Sequence, residues 1–314
     1  MPEKSRVMPD NPINIMFSIN KAHLIFAMIT LNSLLIHNSS SFFEVYLVND
    51  GGIKENDIQK YQDRLNLNFN NFRIILVDIS KHKSFNIINT SSAHWGKEIF
   101  YKVLSYSLFP QLERILCLDT DTVCNGDIHA IYNHNLKKSN GEFLFIADQL
   151  FSCKTNKVFN RLNVGILLIN LKACRKKNVE AEWLEELNSE NLTEEEALNR
   201  LYFNDTLILS KYIYTLSSRR EKISPNEFYQ IRLFHFVGRK PWLMPTYRRF
   251  GIRTTLLWYE AIKPFIKENK KISYYLIKIY GVFCVMFLYS LCKKIWLGRK
   301  IYNSAWIFLQ KIIV

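Results

Sequence analysis

Two carboxylates stand one residue apart in the run Arg114-Ile115-Leu116-Cys117-Leu118-Asp119-Thr120-Asp121-Thr122-Val123. Side by side they repel each other, and a positive charge between them relieves the repulsion. A hard divalent cation, which prefers oxygen ligands, is the natural partner. An ion with open coordination positions then attracts phosphate, so Asp119 and Asp121 read as a metal-diphosphate anchor. The plainer alternative is that one of them caps the following turn, as short acidic residues often do. The residues before the pair form an apolar run, the pattern of a buried parallel strand. In α/β proteins the crevice at the carboxyl end of such a strand is where ligands bind.

A second group of candidates lies far along the chain. Residues 231–237 (IRLFHFV) read as a strand, and His235 sits inside it. A lone histidine in an apolar run is more often a satisfied core residue than a ligand. Imidazole nitrogen is nevertheless a common ligand for an ion already held by two carboxylates. Gly238, Arg239 and Lys240 follow directly, and a glycine with two basic residues after a strand makes a phosphate clamp.

The elements that must position these groups alternate. Residues 13–19 read as a strand, and Asn20 as the cap of the next helix. Leu24, Met28, Leu31 and Leu35 recur at helical spacing, widened by Ala27 and Leu34. Residues 44–49 form a second strand, closed by Asp50-Gly51-Gly52. Ile58, Tyr61 and Leu65 mark a second helix, and residues 73–79 a third strand. This order implies a mostly parallel sheet covered on both faces. Residues 80–97 carry no period and read as a loop. Ile99, Val103, Leu104 and Leu108 predict a helix stopped by Pro110. Further strands are expected at 142–147 and 163–170, where Gly165 permits a close backbone approach. Helices are expected around Trp183, Leu184 and Leu187, and from Thr193-Glu194-Glu195-Glu196 onward.

At 314 residues, 48% hydrophobic and 22% charged, the chain is globular rather than disordered. The net charge of +14 implies an anionic partner. The N-terminal dozen residues are polar and lack the apolar core of a secretory leader. Six cysteines form no C-x-x-C pair and no zinc spacing, consistent with reduced thiols in the cytosol. From about Thr254 the composition shifts: acidic residues nearly vanish after Glu268, and lysines and arginines interleave with aromatic residues. The longest uncharged run of this C-terminal stretch, 279–292, would span about 21 Å as a helix, short of the ~30 Å bilayer core. Such content fits helices lying in the interface of an anionic membrane. The alternative is a packed C-terminal helical subdomain. The charge concentrates beside apolar runs, and no nucleic-acid motif is present, which argues against nucleic acid as the partner.

The acidic strand alone is similar to the first motif of haloacid-dehalogenase-type phosphatases. More than a hundred residues precede it here, and no later strand ends in a convincing acidic pair. A broader resemblance covers about residues 13–242. In order stand INIMFSIN, VYLVNDGGI, RILCLDTDTV with GDI after it, FIADQ, LNVGILLINL and FHFVGRKPW. Together they resemble family 8 glycosyltransferases, including bacterial lipopolysaccharide galactosyl- and glucosyltransferases. The resemblance implies a GT-A fold over residues 11–253, with 254–314 as a basic helical tail at the membrane.

It also implies the chemistry, a retaining transfer of galactose or glucose from a UDP-sugar to a lipid-linked glycan, on the inner face of the cell membrane. Asp119, Asp121 and His235 would hold Mn2+ or Mg2+. Gly238 and Lys240 would contact the phosphates, Thr120 the nucleoside, and Asp148 and Asn163 the donor sugar. The departures are specific. Asn20, Lys21 and Ala22 stand where the family usually ends its first strand in acidic residues. His23 stands where an aromatic stacks on uracil. Lys102 replaces an arginine directed at the donor. Glu194-Glu195-Glu196 replaces Asp-Gln-Asp, so Glu195 either faces the anomeric carbon or pairs with Lys102. The stretch from His235 to Lys240 is one residue short, which gives Arg239 a share of the phosphate role. A family member weakened by these changes would instead bind nucleotide sugar or glycan without turnover.

Overall fold

The computed structural model of the chain describes residues 11–86, 96–152, 157–190, 192–216, 223–238, 240–242 and 252–268. Three parallel strands come first: β1 (Ile13–Ser18), β2 (Phe43–Asn49) and β3 (Phe72–Asp78). They are joined by α1 (Leu24–His37) and α2 (Glu55–Asn66). A 3-10 segment, Lys97–Leu104, and the single turn α3 (Ser105–Leu108) lead into β4 (Ile115–Leu118). Then come β5 (Thr122–Cys124), α4 (His129–Tyr132) and a small hairpin of β6 (Lys137–Lys138) and β7 (Gly141–Glu142). The long pair β8 (Phe145–Ser152) and β9 (Lys157–Ile169) follows. After it lie α5 (Leu171–Lys176), α6 (Val179–Glu190), α7 (Glu194–Tyr202), β10 (Thr206–Ile208) and β11 (Ile213–Leu216). The described chain closes with α8 (Pro225–Gln230), β12 (Leu233–Phe236) and α9 (Ile252–Ile262).

The large sheet has the order β10-β8-β9-β4-β1-β2-β3 and is parallel except where β9 runs against β4 and β8. Both faces are covered, and the sequence shows why. In β1, Ile13, Ile15 and Phe17 join one apolar cluster while Met16 joins the other. A strand wetted on one face would expose every second residue; this one is buried on both sides along nearly its whole length. Order reverses between β1 and β4, and that switch point is the place where open α/β sheets bind ligands. A second sheet, β11-β12-β5, stands beside it.

Two expectations change in three dimensions. The segment expected as a helix from Ile99 is 3-10 over Lys97–Leu104, with residues 100–104 all buried, and α-helical only over Ser105–Leu108. The region expected to stand apart from Thr254 begins inside the core instead. Trp258, Ala261, Ile262 and Phe265 are fully buried, and Asn32 of α1 donates to the Ala261 carbonyl at 2.9 Å. α1 therefore has β5 and α9 against it as well as the sheet, which buries its polar residues Thr30, Asn32 and Ser33 along with the expected apolar stripe. The rest of the expected tail, 269–314, lies outside the described residues. Among those described, no helix is long and apolar enough to cross a membrane.

Candidate functional site

Asp119 directly follows β4, and Asp121 directly precedes β5, so Asp-Thr-Asp is the crossing from the large sheet to the small one. The crossing is pinned from both sides. The Asp119 N–H donates to the Gly165 carbonyl on β9 at 2.7 Å. The Thr30 hydroxyl of α1 lies 3.2 and 3.0 Å from the Thr120 and Thr122 carbonyls. β12 pairs antiparallel with β5, setting His235 opposite Thr122. The imidazole Nε2 lies 3.2 Å from Asp121 Oδ1 and 3.7 Å from Asp119 Oδ2. One ligand atom from each of the three residues falls within 4.8 Å of the others.

The direction of the imidazole is fixed by its other nitrogen. Nδ1 lies 2.7 Å from Asn163 Oδ1, which also accepts the Gly165 N–H at 3.2 Å. A backbone N–H only donates, so the amide oxygen must face it, and Nδ1 must carry the proton. Nε2 is left for the carboxylates, and the neutral ring presents a lone pair there. Two carboxylate oxygens and an imidazole nitrogen are a donor set that fits Mn2+ or a similar divalent ion. Burial alone would lower the imidazole pKa; the Asp121 and Asp119 carboxylates outweigh it and raise it. Burial likewise opposes ionised Asp121, yet His235 and the Lys240 ammonium, which pairs with its Oδ2, hold it well below the usual carboxylate range.

The close approach allowed by Gly165 has a concrete cause. A Cβ there would lie 2.1 Å from His235 Cε1, so the ring packs on the bare backbone of β9. Gly165→Ala is expected to cost about 1–3 kcal/mol through overpacking. It should also remove any stabilisation by Mn2+, because the ring cannot yield and keep its place. Thermal denaturation with and without Mn2+ reads both effects.

Lys102 is 2% exposed. Its ammonium lies 3.2 Å from Asp119 Oδ1, 3.1 Å from the Val164 carbonyl and 3.6 Å from Glu194 Oε1. Burial disfavours its charge, but Asp119 and Glu194 outweigh that and hold its pKa above the usual value. Its partner on α7 is thus Glu194, not Glu195. Burial pushes the Glu194 carboxyl up to about 7 against the pull of Lys102.

Glu195 pairs instead with Arg161, at 2.9 Å, and accepts from Asn163 Nδ2 at 3.1 Å. Asn163 therefore joins His235 to α7. Arg161 escaped the sequence reading, although Arg161, Asn163 and Gly165 alternate onto one face of one strand.

Asp148 reaches the second sheet. Its two oxygens accept from Ser210 Oγ (2.8 Å) and the Thr215 N–H (2.7 Å), and it is 4% exposed. A register shift between Ile146 and Asp148 precedes it, and such irregularities re-aim side chains. The carboxylate ties the large sheet to β11. Burial raises its pKa despite those hydrogen bonds.

The remaining candidates surround the switch point. Asn20 Oδ1 accepts the N–H groups of Ala22 and His23 (3.0 and 3.2 Å), and His23 Nδ1 lies 3.1 Å from it. Thr120 is half-buried. Gly238 is exposed with φ +85°, a left-handed bend suited to glycine, and it turns the chain toward Lys240. Trp242 stacks on Phe26 of α1 at 3.8 Å and 14°, which fixes the far side of that bend. Arg239 lies outside the described residues.

An open, mostly parallel sheet with two carboxylates and an imidazole at its switch point defines a GT-A glycosyltransferase. The family model described as glycosyl transferase family 8 matches residues 14–245, and the chain belongs to that family. A lipopolysaccharide 1,2-glucosyltransferase of Escherichia coli is 25% identical over 259 residues, 73% of each chain. The galactosyltransferase LgtC, solved with donor and acceptor sugar analogs, superposes with a TM-score of 0.61 at 16% identity, covering 79% of this chain and 95% of its own. The bifunctional glycosyltransferase WbbM gives the same TM-score at 14% identity over 82% of this chain, which spans 50% of WbbM.

Proposed function

We propose that the chain transfers a glucose or galactose residue, with retention, from a UDP-sugar to the core glycan of lipopolysaccharide or lipooligosaccharide. The observation that carries the reading is the convergence of Asp119, Asp121 and His235 at the switch point. The lipopolysaccharide glucosyltransferase relative and LgtC support the sugar and acceptor classes. A bound Mn2+ or Mg2+ would supply positive charge where the departing diphosphate develops negative charge. Lys240 and the Gly238 bend add a fixed cation and backbone to the same side. Lys102 holds Asp119 in place from beneath, and Glu194 holds Lys102. Asn163 sets the imidazole and, with Glu195, forms the wall on which the sugar rests.

The test is thermal denaturation with UDP-glucose and UDP-galactose, with and without Mn2+. A ligand at a hundred times its Kd stabilises the native state by about 2.7 kcal/mol. A rise in melting temperature that needs both ion and nucleotide sugar supports the reading, and no rise with either sugar ends it. Slow donor hydrolysis without acceptor separates an enzyme from a non-catalytic binder.

The basic aromatic stretch beyond 268 supports a place on the inner face of the cell membrane, where a lipid-linked acceptor is presented. Truncation after Lys271 keeps α9 and its core contacts. It is expected to abolish sedimentation with anionic vesicles while leaving donor hydrolysis intact. Unchanged sedimentation would rule the stretch out as the anchor.

A further inference from the structure

A half-buried carboxylate stands at the same switch point, on the β1 side, with no role in the arrangement above. Asn20, just past β1, has its amide oxygen occupied by the Ala22 and His23 N–H groups. Its Nδ2 therefore points outward and donates to Glu98 Oε1 at 2.6 Å. The Glu98 side chain folds back over Gly96, where a Cβ would lie 2.2 Å from Oε2; Gly96 has φ +95°, so the backbone makes room for the carboxylate. Among the described residues no group donates to Oε2. One turn further on, Tyr101 is 1% exposed and its hydroxyl has no hydrogen-bond partner among the described residues. Burial, followed by the Asp50 and Glu98 carboxylates, raises the pKa of that hydroxyl.

Glu98 and Lys102 are four residues apart on one 3-10 segment, a separation of about 8 Å at ~2.0 Å per residue. Lys102 touches Asp119, so Glu98 lies one short step from the proposed diphosphate position. That step is the length of the next part of a nucleotide. A carboxylate accepts hydrogen bonds and never donates them, and it recognises a group that presents O–H or N–H. In UDP these are the ribose hydroxyls and the uracil N3–H.

We propose that Glu98, oriented by Asn20, is the carboxylate that recognises the nucleoside half of the donor. The assignment rests on the donor reading above, and the experiment separates the two. Titration calorimetry of the full chain in Mn2+ compares UDP with inorganic pyrophosphate, which has no nucleoside. Glu98→Gln keeps an acceptor for Asn20 but turns a donor toward the nucleoside. It is expected to weaken UDP about tenfold or more, the scale of a hydrogen bond to a charged group, and to leave pyrophosphate within about twofold. Glu98→Ala should behave alike. Repeating the comparison with 2′,3′-dideoxy-UDP identifies the group read. A penalty that vanishes there assigns Glu98 to the ribose, and one that persists assigns it to the base. Equal affinity of wild type and Glu98→Gln for UDP would overturn the proposal, as would an equal loss for UDP and pyrophosphate. Pyrophosphate and UDP both failing to bind wild type would remove the donor reading itself.

Discussion

Asp121→Asn is expected to lower sugar transfer by about 10²–10³-fold or more, the scale seen when one fixed charge-stabilising group is removed from a transition state. The substitution keeps shape and removes charge. Asp121 is 3% exposed and has two partners, the His235 imidazole at 3.2 Å and the Lys240 ammonium. The exchange removes the carboxylate charge that faces Lys240 and strips one anionic donor from the three donors that converge there. The exchange also weakens the charge-assisted bond to Lys240, a contact worth about 1.5–3 kcal/mol, so the variant should also melt early. Any Mn2+-dependent rise in melting temperature should disappear. Asp119→Asn makes the informative contrast. The Asp119 side chain is 43% exposed and keeps solvent contact, so its loss should reduce transfer comparably with a smaller loss of stability. Full transfer and an intact Mn2+ response in Asp121→Asn would show that the convergence of these groups has no part in the reaction.

Lys102→Met is expected to cost about 3–5 kcal/mol of stability, measured as a fall in the urea midpoint at constant slope. The methionine fills similar volume, so the loss reports charge. Glu194 is left buried without its cation, and Asp119 loses the contact that holds it under the site. Lys102→Met with Glu194→Gln should recover part of the loss, since both ends of the pair are then neutral.

The pH dependence has a definite sign. The Glu194 carboxyl is raised from 4.5 to about 7 by burial, so between those values the folded state holds a proton that the unfolded state has lost. Its contribution therefore weakens as pH rises from about 4.5 to 7. In Lys102→Met the carboxyl loses the one influence that lowered it most, and its window extends upward. The deficit of the variant should grow toward high pH and shrink toward low pH. A pH-independent deficit would mean that Lys102 acts through packing alone.

Period and adjacency carried much of this protein in its sequence. The apolar runs of β1, β2 and β4, alternating with helical stripes, were enough for a mostly parallel sheet with both faces covered, because a strand buried on two sides leaves no polar alternation. Asp119 and Asp121 announced themselves by standing one residue apart at the end of such a run. Tertiary structure decided the rest, for reasons that spacing does not encode. His235 becomes a candidate ligand only because β12 pairs with β5, and only with its Nδ1 proton tied to Asn163 and its ring laid on Gly165. The acid facing Lys102 is Glu194 because helix phase rotates neighbouring residues by about 100°, and Glu195 turns to Arg161 instead. Asp148 sits in the expected strand, yet the backbone there re-aims it into a bridge between sheets. Whether a polar side chain meets solvent, substrate or another side chain depends on what the fold packs over it, and that is set by contacts between residues far apart in the chain.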